Sequence, residues 1–194
     1  MIWMLNSCKS FFVRSFYRES AAGGGVSGFS WRAIWGSMAP TRAAFFVWMV
    51  AWEVILTANN LQKRGFMMAS RCCMCKAEVE TVNHLLIHCP MARDAWSFFF
   101  SIFDCQWVFL ATIIELLSCW HGARIRRCAK KAWCMAPICL LCCLWKEINR
   151  RVFDGMELSL HRFKDLLLNM LHFWLLEAYP SNDNYFADFL GGLR

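Results

Sequence analysis

The chain has 194 residues with 21 basic and 14 acidic side chains, a net charge of +7 at pH 7, and is 58% hydrophobic but only 18% charged. These proportions exclude a disordered acidic tail, a collagen-like repeat and a low-complexity linker, because so much apolar surface offsets the entropy of ordering the chain. Charge is unevenly spread: residues 1–71 carry a net +6, residues 72–122 a net −3 and residues 123–194 a net +4.

The opening MIWMLNSCKS has no basic lead-in and an apolar run too short for a signal-peptide core, so an intracellular, non-secreted protein is expected. From Ala21 to Gly28 small residues and glycines oppose regular structure, and residues 1–29 read as an N-terminal segment with a Gly-rich linker. The apolar, aromatic stretch Ala43 to Leu56 predicts a buried helix. Thr57 should cap a second helix over Ala58 to Arg64, stopped by Gly65. Pro90 suits the first turn of a helix running to about Phe103, with Trp96, Phe99 and Phe103 at helical spacing. Two long helices should close the chain. One spans roughly Arg126 to Phe153, kinked or split at Pro137. The other follows Ser159 as its N-cap and places Leu160, Phe163, Leu166, Leu167, Met170, Leu171, Trp174 and Ala178 on one stripe, ending before Pro180. No alternating strand pattern is visible, so the expected fold is mostly α.

The charge-free stretches are short. Ala132 to Trp145 is fourteen residues with Pro137 inside, against roughly 18 to 20 for a bilayer span, so membrane anchoring is not expected. The twelve cysteines lack even spacing and an export signal, which argues for reduced thiols. Cys139, Cys142 and Cys143 lie in an apolar run and read as core filling.

One constellation has metal-ligand spacing. Cys72, Cys75, His84 and Cys89 read as C-x2-C-x8-H-x4-C, the donor set that closes a tetrahedral Zn2+ shell. Four protein ligands leave no open position, so the expected ion is structural, stapling a small central knuckle. Thr81 can cap a short helix that presents His84 in its first turn. Cys89 would lie about 140° from His84 on a regular helix, but Pro90 biases Cys89 out of the α region and lets the chain turn back. Cys73 and His88 are competing ligands for Cys72 and Cys89. Arg71 and Lys76 would partly offset the net negative charge of three thiolates on one Zn2+.

Reading from Trp31 and Trp35 through Pro40, Phe45, Phe46, Trp48, Ile55, Thr57, Asn60, Leu61, Arg64 and Gly65 to the ligand set with Glu80, Thr81, Leu85 and Leu86, the chain resembles the reverse transcriptase zinc-binding domain. That domain follows the polymerase in LINE-type, non-LTR retroelements of plants and also occurs in separate short proteins. The resemblance covers about residues 30 to 100. The implied division is an N-terminal segment (1–29), a zinc-binding domain (30–104) and a C-terminal helical region (105–194). Downstream, Trp145, Glu147, Asn149, Arg151 and Phe153 resemble a Trp-x-Glu-Arg-Asn-x-Arg-x-Phe segment of the same proteins, and Ser15 to Arg18 resembles the tail of their polymerase-proximal region. Ile148 and Asn83 stand where that family usually has Arg and often has Asp.

No adjacent acidic pair and no Tyr-x-Asp-Asp is present to gather catalytic metals, and no Gly-rich phosphate loop occurs. A non-catalytic module is therefore expected, with no small-molecule substrate. The resemblance and the basic balance imply contact with RNA or DNA as an accessory to a reverse transcriptase, with Arg124, Arg126, Arg127, Lys130 and Lys131 as candidate phosphate contacts; Arg124, Arg127 and Lys131 would share one helical face. The alternative is a structural or protein-interaction domain, with apolar helices against a reverse transcriptase or another protein and zinc only as a fold staple.

Overall fold

The computed structural model describes residues 31–120 and 122–180; the N-terminal segment, its Gly-rich linker and the Ser15 to Arg18 resemblance lie outside them. A four-residue helix, α1 (Arg32–Trp35), leads into α2 (Thr41–Ala51) behind Pro40. This second helix is shorter than the predicted Ala43 to Leu56. Glu53 adopts φ 54°, and the N–H groups of Glu53 and Val54 turn back to the carbonyls of Val50 and Met49 at 2.9 and 3.1 Å, a Schellman ending that stops the helix.

The next helix, α3 (Ala58–Lys63), starts as predicted: the Thr57 hydroxyl accepts from the Asn60 N–H. Gly65, at φ 90°, closes it with the same motif, the Phe66 N–H reaching the Leu61 carbonyl. Pro90 occupies the first turn of α4 (Pro90–Ile102), which buries Trp96 and Phe99 completely. Asp104 takes the left-handed position at its end, φ 50°. A further helix, α5 (Ile113–Trp120), has no counterpart among the predicted elements. Its entrance is a capping box: Thr112 Oγ1 accepts from the Glu115 N–H, and the Glu115 carboxylate accepts from the Thr112 N–H.

The central element is α6 (Lys130–Asn149), preceded by a 3-10 turn (Arg127–Ala129) and followed by a π turn (Arg150–Asp154) that Gly155 ends at φ 64°. It runs through Pro137 as one unbroken helix, so the expected split does not occur. The run Arg127–Asp154 is 28 residues, long and apolar enough by length and composition to cross a membrane. The charge-free stretch alone understates it, because charged residues at either end extend the helix. Yet 72% of its apolar window is buried within the protein, as in the core helix of a folded domain. It packs on α2, α4 and α7 (Leu160–Ala178). The last helix is capped by the Ser159 hydroxyl, as expected, and buries Phe163, Leu167, Leu171, Trp174 and Leu175, with Leu166 and Met170 half-buried at the edge of the stripe. No strand occurs among the described residues, and the fold is mostly α.

Aromatic packing joins α4, α5 and α6. The Trp120 and Trp133 rings stack with centroids 4.0 Å apart at 11°, and each indole N–H donates to the other residue's carbonyl, at 2.8 and 3.1 Å. Both buried donors are thus satisfied within one stacked pair. Cys139 and Cys143 fill the core as expected, whereas Cys142 is only partly covered.

Candidate metal centre

The Cys72 to Cys75 segment is a tight knuckle. The Cys72 N–H donates to the Glu78 carbonyl at 2.8 Å, and the Lys76 N–H returns to the Cys72 carbonyl at 2.9 Å, with Lys76 at φ 57°. The turn folds the Cys75 N–H to 3.5 Å from Cys72 Sγ. On the facing segment the Thr81 hydroxyl accepts from the His84 N–H at 3.1 Å, the predicted cap.

His84–His88 is a π turn rather than a regular helical turn. The Cys89 N–H donates to the His84 carbonyl at 2.6 Å, a five-residue step that brings Cys89 beneath His84. Cys89 itself is extended, at φ −57° and ψ 136°, the region that the following proline imposes.

The four ligand atoms of Cys72, Cys75, His84 and Cys89 lie within 4.8 Å of one another. A tetrahedral shell with ordinary Zn–S and Zn–N bonds requires sulfurs about 3.8 Å apart and sulfur to nitrogen about 3.6 Å. Cys72 Sγ to Cys89 Sγ is 3.9 Å, and Cys75 Sγ to His84 Nε2 is 3.3 Å. The donor set and its spacing suit zinc. The Cys72 thiol is pushed up to about 12, first by its hydrogen bond to Cys89 and then by burial, and the same bond lowers Cys89. Two sulfurs holding one proton in this way would surrender it to a cation.

The two competitors point elsewhere. His88 Nε2 is 2.9 Å from the Ala111 carbonyl, and its ring is engaged there. Cys73 lies outside the cluster; burial and then the nearby Glu80 carboxylate push its thiol up to about 12.

Three polar residues that spacing did not single out hold the knuckle in place. Buried Glu80 accepts from the Ala58 N–H at 2.9 Å and the Cys73 N–H at 3.2 Å, tying the start of α3 to the knuckle. Glu147, 1% exposed, pairs with Arg151 Nε at 2.8 Å and accepts from the Leu158 N–H at 3.0 Å. Arg151 in turn donates to the Met74 carbonyl, between the first two cysteines, at 3.4 Å. The i,i+4 spacing of Glu147 and Arg151 is the signal that could have revealed them. By contrast, Lys76 pairs with exposed Glu157, and Arg71 Nε donates to the Lys76 carbonyl. Asn83 bridges the Glu53 carboxylate and the Ile113 N–H, at 2.6 and 3.1 Å. An aspartate there would face Glu53 with like charge.

The basic cluster is less regular than expected. Arg124 and Arg126 precede the helix on irregular backbone and Arg127 starts the 3-10 turn, so Arg124, Arg127 and Lys131 do not share one helical face. Arg126 lies 3.9 Å from Asp104, both exposed, and Lys131 sits 4.0 Å over the Tyr179 ring.

An all-helical fold closed around three cysteines and one histidine belongs to the class of zinc-stapled modules. Residues 11–96, a little under half of the chain, match the family described as zinc-binding in reverse transcriptase. A relative in Arabidopsis thaliana, named as a ribonuclease H protein, is 26% identical over 98 residues. Those residues are 48% of this chain but 16% of the relative, so the chain spans a small part of that protein's length. No solved structure matches.

Proposed function

We propose that the chain is a non-catalytic zinc-binding module of retroelement origin that contacts RNA or DNA as an accessory to a reverse transcriptase. In this reading Cys72, Cys75, His84 and Cys89 are the four ligands of one structural Zn2+. The observation that carries it is the convergence of these four ligand atoms, within 4.8 Å, inside a stretch that matches a reverse-transcriptase zinc-binding family. A bound ion would supply a rigid four-way cross-link. With all four positions taken by protein, none remains for a substrate or a hydrolytic water.

The net charge of +7 and the exposed Arg124, Arg126, Arg127 and Lys130, with half-buried Lys131, support contact with phosphates. The proposal keeps residues 30–104 as the zinc-binding domain and 105–194 as its helical partner, and places the protein inside the cell. A second reading, docking to a protein, is favoured by exposed apolar side chains such as Phe66, Met67 and Phe153. Filter binding of labelled RNA and DNA across a salt series separates them. Steep loss of affinity with salt is expected; no binding even at low salt would leave only protein docking.

A further inference from the structure

A cleft of about 470 Å³ is lined by the start of α2, by the Cys142 to Lys146 stretch of α6 and by Trp174 of α7. Phe46, Trp145 and Trp174 line it, and Arg42 and Lys146 line it with them. Phe46 and Trp145 are already stacked, centroids 5.7 Å apart at 29°, so they offer a braced aromatic wall rather than two loose rings. Trp174 is 6% exposed.

The electrostatics of this cleft lack a counter-charge. No acidic side chain lines it. Arg42 lies in the first turn of the eleven-residue α2, where the helix dipole is positive and no acidic residue compensates. Neither Arg42 nor Lys146 has an ion-pair partner among the described residues. Two exposed cations and a positive helix end around an aromatic wall call for a planar ring carrying an anionic group.

We infer that this cleft binds one nucleotide of a single-stranded nucleic acid, its base against Phe46 and Trp145 and its phosphate between Arg42 and Lys146. Stacking needs an unpaired base, since a duplex hides its ring faces, and is tolerant of sequence because every base has such a face. The volume is within the range of small-ligand pockets. The inference rests on the nucleic-acid reading proposed above; an acidic aromatic peptide would meet the same charges and is the competing occupant that the experiment must exclude.

The test uses the full, zinc-loaded chain and a fluorescein-labelled twelve-nucleotide oligouridylate carrying one 5-iodouridine. Photo-cross-links should map to the peptides holding Phe46 or Trp145. Trp145→Leu should weaken binding about tenfold while zinc content and circular dichroism stay unchanged. Arg42→Glu with Lys146→Glu should weaken it more than the equal charge change Arg64→Glu with Arg162→Glu, and should lower the salt slope by about 0.7, the share of the one phosphate they hold. If the oligonucleotide binds but the two double variants behave alike and cross-links map elsewhere, the cleft is wrong while the broader reading stands. If the wild-type chain binds no nucleic acid at low salt, both fall. If an acidic aromatic peptide binds and the oligonucleotide does not displace it, the cleft is a peptide site and the inference is overturned.

Discussion

The Arg151 guanidinium lies 2.8 Å from the Glu147 carboxylate and reaches the Met74 carbonyl inside the cysteine knuckle, joining the end of the central helix to the metal centre. Both groups are largely buried, at 9% and 1% exposure. Removing the arginine leaves the buried carboxylate with only Arg150, at 3.3 Å, and the Leu158 N–H as partners, a change that costs about 1–3 kcal/mol. Arg151→Leu should therefore lower stability by about that amount in urea titration. It should also weaken zinc binding at least tenfold in competition with a chromogenic chelator, as loss of outer partners does at other metal sites. Arg151→Lys keeps the charge but not the forked geometry, and should recover only part of each effect.

Chelation should unfold the knuckle. Metal binding in small zinc modules contributes on the order of 10 kcal/mol near pH 7, so excess EDTA is expected to reduce helical circular dichroism and to expose Cys72, Cys75 and Cys89 to alkylation. His84→Ala should abolish stoichiometric zinc by mass spectrometry. His88→Ala should retain it and cost about 1 kcal/mol, the worth of its bond to the Ala111 carbonyl. Equal zinc loss in both variants would show that the ligand is misassigned.

Alkaline pH should destabilise the protein through Cys142. Burial pushes this thiol up to about 12 from an ordinary 9.0, so the folded chain keeps the proton when the unfolded chain has released it. The stabilisation is complete below pH 9 and is lost as pH rises from about 9 to 12. Urea midpoints across that range should fall less steeply for Cys142→Ala than for the wild-type chain.

Asp104 offers a stabilising change. It holds the left-handed position at the end of α4, with φ 50°, at a cost that glycine does not incur. Its contact with Arg126 is 3.9 Å long and exposed, and is worth little. Asp104→Gly should raise stability by about 1 kcal/mol in thermal unfolding.

Four starts were legible in the sequence because single residues act locally: Thr57, Thr81 and Ser159 cap, and Pro90 begins a helix where its missing N–H is harmless, whereas the Thr112–Glu115 capping box of α5 was missed. The ends of α3 at Gly65, of α4 near Phe103 and of α7 before Pro180 were legible too, but not every stop was. Glu53 and Asp104 take the left-handed conformation of Gly65 without glycine's signature, and the end of α2 was read too far downstream. The ligand set could be read from spacing and proline, but the π turn could not, since periodicity assumes α geometry. Glu80, Glu147 and Arg151 were named only as part of the resemblance; their contacts to the Ala58, Cys73 and Leu158 N–H groups and to the Met74 carbonyl lie on distant backbone atoms, which no linear pattern displays.

The wide turn between His84 and Cys89 acts as a gear with a fixed tooth count. Four intervening residues mesh with a five-residue hydrogen-bonded step; three would fit an ordinary α turn and carry Pro90, and with it the whole of α4, to a different azimuth. The length of that short segment thus aims an entire aromatic helix, not merely a sulfur atom.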